Sequence, residues 1–178
     1  MIDESEIRKA ISILKPDGEL FEVRVMYSSK QMYSGYFKSA DDLITALNRD
    51  VREYAKCNMY ITLNALNEAC YSRDQSNRFI KNIKITTSDN DVEGYEYLFI
   101  DIDPSRPTGT SSSDEQVAKA KETGNKVFSF MKNIGFNDPV FGFSGNGVHL
   151  LYRVELKNTE DSKILAKKYF DDKGFKNA

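Results

Sequence analysis

The chain has 178 residues, of which 40% are hydrophobic, and this length and composition suit one modest domain that can bury a sizeable core. Its 27 acidic and 25 basic residues argue against a dedicated binder of duplex nucleic acid, because such proteins usually carry a large basic excess. The acidic N-terminus and the lack of an apolar stretch that could span a bilayer predict a cytoplasmic protein with no signal peptide and no membrane partner.

The first part of the chain, about residues 1–90, predicts a small α/β unit. A helix is expected from Ser39, because apolar residues recur with helical spacing as far as Ala55 and because Ser39 with Asp42 resembles a capping arrangement. The other elements predicted here are strands at 20–27, 31–37 and 59–63, a turn at 28–30 and a short helical turn near 67–71.

The strand predicted from Tyr95 ends in two acidic residues, Asp101 and Asp103. Residues two apart in a strand point to the same face, so the two carboxylates should stand side by side. Two like charges this close repel each other unless a cation lies between them, and Mg²⁺ or Mn²⁺ prefer such oxygen ligands. A solvated strand end before a proline turn is the commoner explanation of an isolated Asp-x-Asp. One face of this strand is predicted to pack on helices and carries Leu98, Ile100 and Ile102. The other face is predicted to open on the site and carries Tyr97, Phe99, Asp101 and Asp103.

A long helix and a hairpin follow the acidic pair. Ser112 with Glu115 indicates a capping box at the start of the helix, and Gly135 indicates its end. A further helix is expected around 162–170. This order of elements favours an α/β (α+β) fold, in which an RRM-like antiparallel or mixed sheet over about 91–178 has helices packed on one face.

The hairpin contains the only histidine of the chain, His149. Apolar runs flank the sequence Ser-Gly-Asn-Gly at 144–147, in which Asn-Gly should supply the positive φ angles of a tight turn. Glycine N–H groups and a nearby imidazole suit an anionic ligand such as a phosphate. A plain glycine hairpin with a hydrogen-bonded histidine is the alternative.

With these motifs in this order, the chain resembles the catalytic core of the archaeo-eukaryotic primase superfamily, the primase-polymerases. The likeness is greatest to the plasmid, phage and CRISPR-associated branch, and it runs from about Glu22 to the C-terminus, including the stretches 34–37, 60–64 and 101–106. It implies a DNA primase that transfers nucleotides from nucleoside triphosphates to a 3′-hydroxyl on a single-stranded DNA template or primer, with two Mg²⁺ or Mn²⁺ ions. A helicase domain or CRISPR and replication proteins are further partners that it implies.

The resemblance also assigns roles to residues. It implies Asp101 and Asp103 as metal ligands and His149 as a contact to the triphosphate, all three being catalytic. The nucleotide-binding set implied in addition is Ser144, Gly145, Asn146 and Gly147 in the hairpin, with Arg73 and Arg78 on a wall beyond the strand near Asn64.

The third acid of the family's metal site has no clear counterpart. The acids in that region are Asp171 and Asp172, which lie in a segment typical of a helix end, and the chain stops at Ala178 where the third strand is expected. We therefore expect a fragment truncated at its C-terminus, with an incomplete metal site and reduced activity.

Several other readings stay open. An RRM-like module that binds nucleic acid without catalysis would use Tyr97 and Phe99 for base stacking. The segment from Phe99 also resembles the first motif of haloacid-dehalogenase-type phosphatases, although too little chain follows for their sheet and the hairpin stays unexplained. A polymerase-β-like transferase would need Gly-Ser before the acidic pair, and an HUH endonuclease would need two histidines.

Cys57 and Cys70 are expected as reduced thiols, since one histidine and two cysteines cannot form a zinc stem.

Overall fold

Helices and antiparallel sheets make up the computed structural model, which describes residues 2–27, 31–52, 57–107 and 109–164. These residues divide into two units, one up to Gly94 and one from Tyr95 onwards. The elements are α1 (Glu4–Leu14), β1 (Phe21–Tyr27), β2 (Met32–Phe37), α2 (Ala40–Asp50), β3 (Cys57–Ile61), β4 (Ala65–Leu66), β5 (Ile80–Lys81), β6 (Val92–Ile102), α3 (Asp114–Asn133), β7 (Val140–Phe143) and β8 (Val148–Lys157), with short 3₁₀ helices at Glu68–Ser72 and Asp89–Asp91. The predicted α/β (α+β) class is confirmed, and the RRM-like arrangement stays a prediction.

The first unit contains an antiparallel sheet with strand order β3, β1, β2, β5. β1 and β2 pair along their length, from Phe21 opposite Phe37 to Met26 opposite Met32. Helices α1 and α2 contribute to the core that this sheet buries. The fully or nearly fully buried core residues are Ile11, Phe21, Val23, Val25, Phe37, Leu43, Ala46, Leu47, Val51 and Phe79.

Several boundaries in the first unit differ from the predictions. Helix α1 was not predicted; Asp3 caps it by accepting a hydrogen bond from the Glu6 amide at 3.1 Å. The expected cap of α2 is confirmed, since Ser39 Oγ accepts from the Asp42 amide at 3.1 Å. However, α2 ends at Asp50, while 53–56 and the predicted turn at 28–30 lie outside the described residues.

The remaining differences concern strands. β3 covers Cys57–Ile61 and so begins two residues before the predicted start. β6 begins at Val92 rather than at Tyr95, because its first residues pair with β4 inside the first unit, Ala65 opposite Gly94. The two-residue strands β4 and β5 were not predicted, since so short a run leaves no periodic signal.

The second unit places β8 between β6 and β7. β7 and β8 form the predicted hairpin, with Gly142 opposite His149. Side-chain contacts join Asp101 to His149 and Tyr97 to Arg153. Tyr97 lies four residues before Asp101 in β6, whereas Arg153 lies four residues after His149 in β8. β6 and β8 are therefore antiparallel.

Helix α3 packs on one face of this sheet, as predicted. Its buried residues Ala120, Val127 and Met131 contact alternate residues of the strands. The strand residues in this core are Leu98, Ile100 and Ile102 from β6 and Val148, Leu150 and Tyr152 from β8. Tyr97, Phe99, Asp101, His149 and Leu151 consequently belong to the opposite face.

The ends of α3 correct one prediction and confirm another. The capping box is formed by Ser113 and Gln116, not by Ser112 and Glu115, because the backbone turns into the helix one residue later. The helix ends at Asn133 and is followed, as expected, by Gly135, which has φ +96°. Of the helix predicted at 162–170, residues 160–164 are helical and the rest lies outside the described residues. No described helix is long and apolar enough to cross a membrane.

Candidate functional site

Two neighbouring strands bring Asp101 and His149 together. Asp101 stands near the end of β6 and His149 near the start of β8, and His149 Nε2 lies 3.2 Å from Asp101 Oδ1. The ring of Phe99 packs edge-on against the imidazole, with centroids 5.0 Å apart. Because β6 and β8 are antiparallel, residues near the acidic end of one strand must meet residues near the hairpin end of the other.

Asp103 is held by a residue that sequence reasoning did not assign, Arg106. The Nη1 atom of Arg106 donates to Asp103 Oδ2 at 2.9 Å. About half of each carboxylate side chain is exposed, 51% for Asp101 and 45% for Asp103. Each acid therefore has a positively charged or imidazole partner and remains open to a ligand on its other side.

Gly147 lies directly against Asp103. An added Cβ at this position would overlap Asp103 Oδ1 and the backbone oxygen of Ile102. Gly142 similarly lies against His149, since a Cβ there would stand 3.2 Å from His149 Cβ. Two glycines thus leave the room that Asp103 and His149 occupy.

The turn chemistry differs from the prediction. The positive φ, +88°, occurs at Gly145, and neither Asn146 nor Gly147 adopts the left-handed region. The prediction that Asn-Gly supplies the positive φ angles is therefore wrong. Gly147 is required because its backbone lies close to Asp103. The residue preferences of hairpin turns concern φ angles, so they cannot reveal a contact with another strand.

Ser144 organises the hairpin loop from inside. Its Oγ accepts hydrogen bonds from the Gly147 amide at 2.9 Å and from the Asn146 amide at 3.3 Å. The Asn146 side chain in turn accepts from the Ser112 amide at 2.9 Å, which ties the loop to the segment before α3. Two amides expected to face an anion are thus used within the loop, and the Gly145 amide has no partner among the described residues.

Arg73 and Arg78 lie in the first unit and are both ion-paired there. Arg73 donates to Asp91, and this hydrogen bond holds the pKa of the Asp91 carboxyl well below its usual range. Arg78 Nη2 lies 3.2 Å from Asp50 Oδ1. Their assignment to a nucleotide-binding wall stays a prediction.

The aromatic residues of the site face differ in exposure. Tyr97 is buried, and its hydroxyl accepts from Arg153 Nη1 at 2.9 Å. Phe99 is 44% exposed and contacts His149. Only one of the two rings proposed for base stacking therefore presents surface to solvent.

The metal-binding potential of this site rests on two carboxylates. Among the described residues, no group of three or more histidine, cysteine or acidic side chains is arranged to hold a metal ion. Asp171 and Asp172, the candidates for the third acid, lie outside the described part of the chain. Comparison with known proteins adds no assignment, since no family model, curated protein or solved structure matches this chain.

Proposed function

We propose that the chain is a primase-polymerase of the archaeo-eukaryotic primase type, which transfers nucleotides from nucleoside triphosphates to a 3′-hydroxyl on single-stranded DNA. The observation that carries this proposal is the convergence of Asp101, Asp103 and His149 around Gly147 on one sheet face. The proposal includes a cytoplasmic location and, as further partners, a helicase domain or CRISPR and replication proteins.

The two carboxylates fit a divalent cation of the Mg²⁺ or Mn²⁺ kind. They offer hard oxygen donors, they are half exposed, and the absence of a side chain at Gly147 leaves the room that the Asp103 carboxylate itself occupies. Asp101 and Asp103 would hold the ion, and the remaining ligands would come from the triphosphate, water and acids outside the described residues. When bound, such ions offset charge on the phosphates and favour the deprotonated form of the attacking hydroxyl.

The reaction itself requires no protein nucleophile. The 3′-oxygen forms a bond to the α-phosphorus, the bond from that phosphorus to the bridging oxygen breaks, and pyrophosphate leaves while the hydroxyl proton passes to water. His149 and the Gly145 amide would orient the triphosphate, since His149 stands beside Asp101 and the Gly145 amide, in the loop that precedes His149, has no partner among the described residues. Phe99 would keep the imidazole in place through their T-shaped ring contact.

Two features of the second unit support this reading over the alternatives. A haloacid-dehalogenase-type phosphatase needs a doubly wound parallel sheet, whereas β6, β8 and β7 are antiparallel. A stacking module needs exposed aromatic faces, and of the two rings proposed for stacking Phe99 is exposed whereas Tyr97 is buried.

The test compares Asp101→Asn with Asp138→Asn, a surface aspartate of the same unit that pairs with Lys132. Mn²⁺ uptake is measured by calorimetry, and dinucleotide synthesis and primer extension are measured on single-stranded DNA. We expect Asp101→Asn to abolish all of them and Asp138→Asn to leave them at the wild-type level. Synthesis that persists in Asp101→Asn, or single-stranded DNA binding by the wild type with no metal and no nucleotide dependence, would refute the proposal.

A further inference from the structure

We propose that Arg106 is a phosphate ligand of the nucleotide site, which releases Asp103 and binds the triphosphate when a divalent cation occupies the carboxylates. This inference rests on the proposed function. Its starting point is the 2.9 Å hydrogen bond from Arg106 Nη1 to Asp103 Oδ2, because that oxygen belongs to one of the two candidate metal ligands.

The guanidinium is anchored independently of Asp103. Its Nε donates to the Thr110 backbone oxygen at 3.1 Å, and Nη1 also lies 3.4 Å from the Pro104 oxygen. Loss of the Asp103 contact would therefore leave the guanidinium in place. The two N–H groups of Nη2 have no partner among the described residues, so Arg106 already has donors to offer to an anion.

The segment that carries Arg106 is tied to both halves of the site. Gln116 Nε2 donates to the Ser105 oxygen at 3.0 Å, which fixes the segment to the first turn of α3. The Ser112 amide donates to Asn146 Oδ1 at 2.9 Å, which fixes it to the hairpin loop. Arg106 is thus held beside Asp103, in a segment that is fixed to α3 at Ser105 and to the hairpin loop at Ser112.

Charge balance explains why a phosphate is the expected ligand. Without a metal, the single charge of Arg106 offsets that of Asp103. A divalent cation would neutralise both Asp101 and Asp103, and it would leave an uncompensated guanidinium whose side chain is only 20% exposed. A planar guanidinium with parallel N–H donors matches two phosphate oxygens, and the triphosphate brings negative charge to this position.

The experiment uses the whole chain with three variants, Arg106→Met, Arg106→Lys and Arg8→Met. Arg8 is the matched control, because it also pairs with an aspartate, Asp41, but does so in the first unit. Calorimetry measures the affinity for Mn²⁺ alone and then for a nucleoside triphosphate at saturating Mn²⁺.

We expect Arg106→Met to bind the triphosphate roughly 10-fold to 100-fold more weakly, which is the range for losing charge-assisted hydrogen bonds. Its affinity for Mn²⁺ alone should be equal or higher, because a competing cation is gone. Arg106→Lys should give an intermediate triphosphate affinity, and Arg8→Met should match the wild type.

Two results would overturn the inference. Weaker Mn²⁺ binding with unchanged triphosphate binding would show that Arg106 only positions Asp103. A wild type that takes up neither Mn²⁺ nor the triphosphate would refute the proposed function itself and the phosphate role with it. Should circular dichroism show that Arg106→Met is unfolded, Arg106→Gln takes its place, and wild-type triphosphate affinity in Arg106→Gln would overturn the phosphate role.

Discussion

Replacement of Gly147 by alanine is the sharpest single test of the site. The new Cβ would overlap two atoms, Asp103 Oδ1 and the Ile102 backbone oxygen. The carboxylate can rotate away, but the backbone oxygen belongs to a strand that pairs with β8 and can move only if that pairing shifts. We expect a loss of about 1 to 3 kcal/mol in the free energy of unfolding, the usual range for overpacking, together with displacement of the Asp103 side chain.

Gly145→Ala is the matched control for this substitution. Gly145 has φ +88° and open space around it, so an alanine there costs roughly 1 to 2 kcal/mol of backbone strain without touching Asp103. Urea unfolding gives the stability of both variants, and calorimetry gives their Mn²⁺ affinity. We expect a drop in affinity of roughly tenfold or more in Gly147→Ala alone, as is typical when the orientation of a metal ligand is disturbed. An unchanged Mn²⁺ isotherm in Gly147→Ala, or equal losses in both variants, would refute the reasoning.

Three further predictions concern single positions. His149→Gln should weaken triphosphate binding roughly tenfold while leaving Mn²⁺ uptake unchanged in calorimetry, and a parallel loss of both would contradict its role as a phosphate contact. Hydrogen bonds from Arg49, which outweigh the opposing effect of burial, lower the pKa of Asp50 from 3.8 to about 2, so the stabilisation is complete above pH 4 and is lost as the pH falls towards 2. When the pH is lowered from 5 to 3, the urea midpoint should accordingly fall by less in Asp50→Asn than in the wild type. Identical pH dependences of the two midpoints would count against this assignment. Gly35→Ala should cost about 1 to 3 kcal/mol in urea unfolding, since its Cβ would lie 2.5 Å from the Arg78 backbone oxygen, and an unaltered midpoint would mean that the sheet can shift.

Most elements of the fold could be predicted from periodicity and caps. β1, β2 and the β7–β8 hairpin follow from alternating or continuous apolar residues. Helix α1 also carried a usable signal, because Ile7, Ile11 and Leu14 have helical spacing after an Asp3 cap. The end of α2 could not be read in the same way. There Asp50 accepts a hydrogen bond from the distant Phe79 amide, so tertiary contacts contribute to the chain's path after the helix.

The candidate site was predictable where strand geometry alone decides. The two-residue spacing predicts that Asp101 and Asp103 share one face of the strand. The hairpin pattern predicts that His149 lies near the start of the second hairpin strand. Arg106 could not be found in this way, because a single arginine in a polar loop has no periodicity and its partner is set by the path of the loop. The reason for Gly147 was equally hidden, since it depends on the distance between two strands rather than on the turn.

The steric requirement at Gly147 has a consequence for how distant relatives of this chain should look. Exposed surface positions tolerate many side chains, and surface loops can change length freely. A relative that keeps Asp103 against β8 has no such freedom at Gly147, because any side chain there meets a backbone oxygen. Gly142 faces the same limit beside His149 to a lesser degree. The spacing of these two glycines around the hairpin should therefore persist through divergence that erases the rest of the sequence.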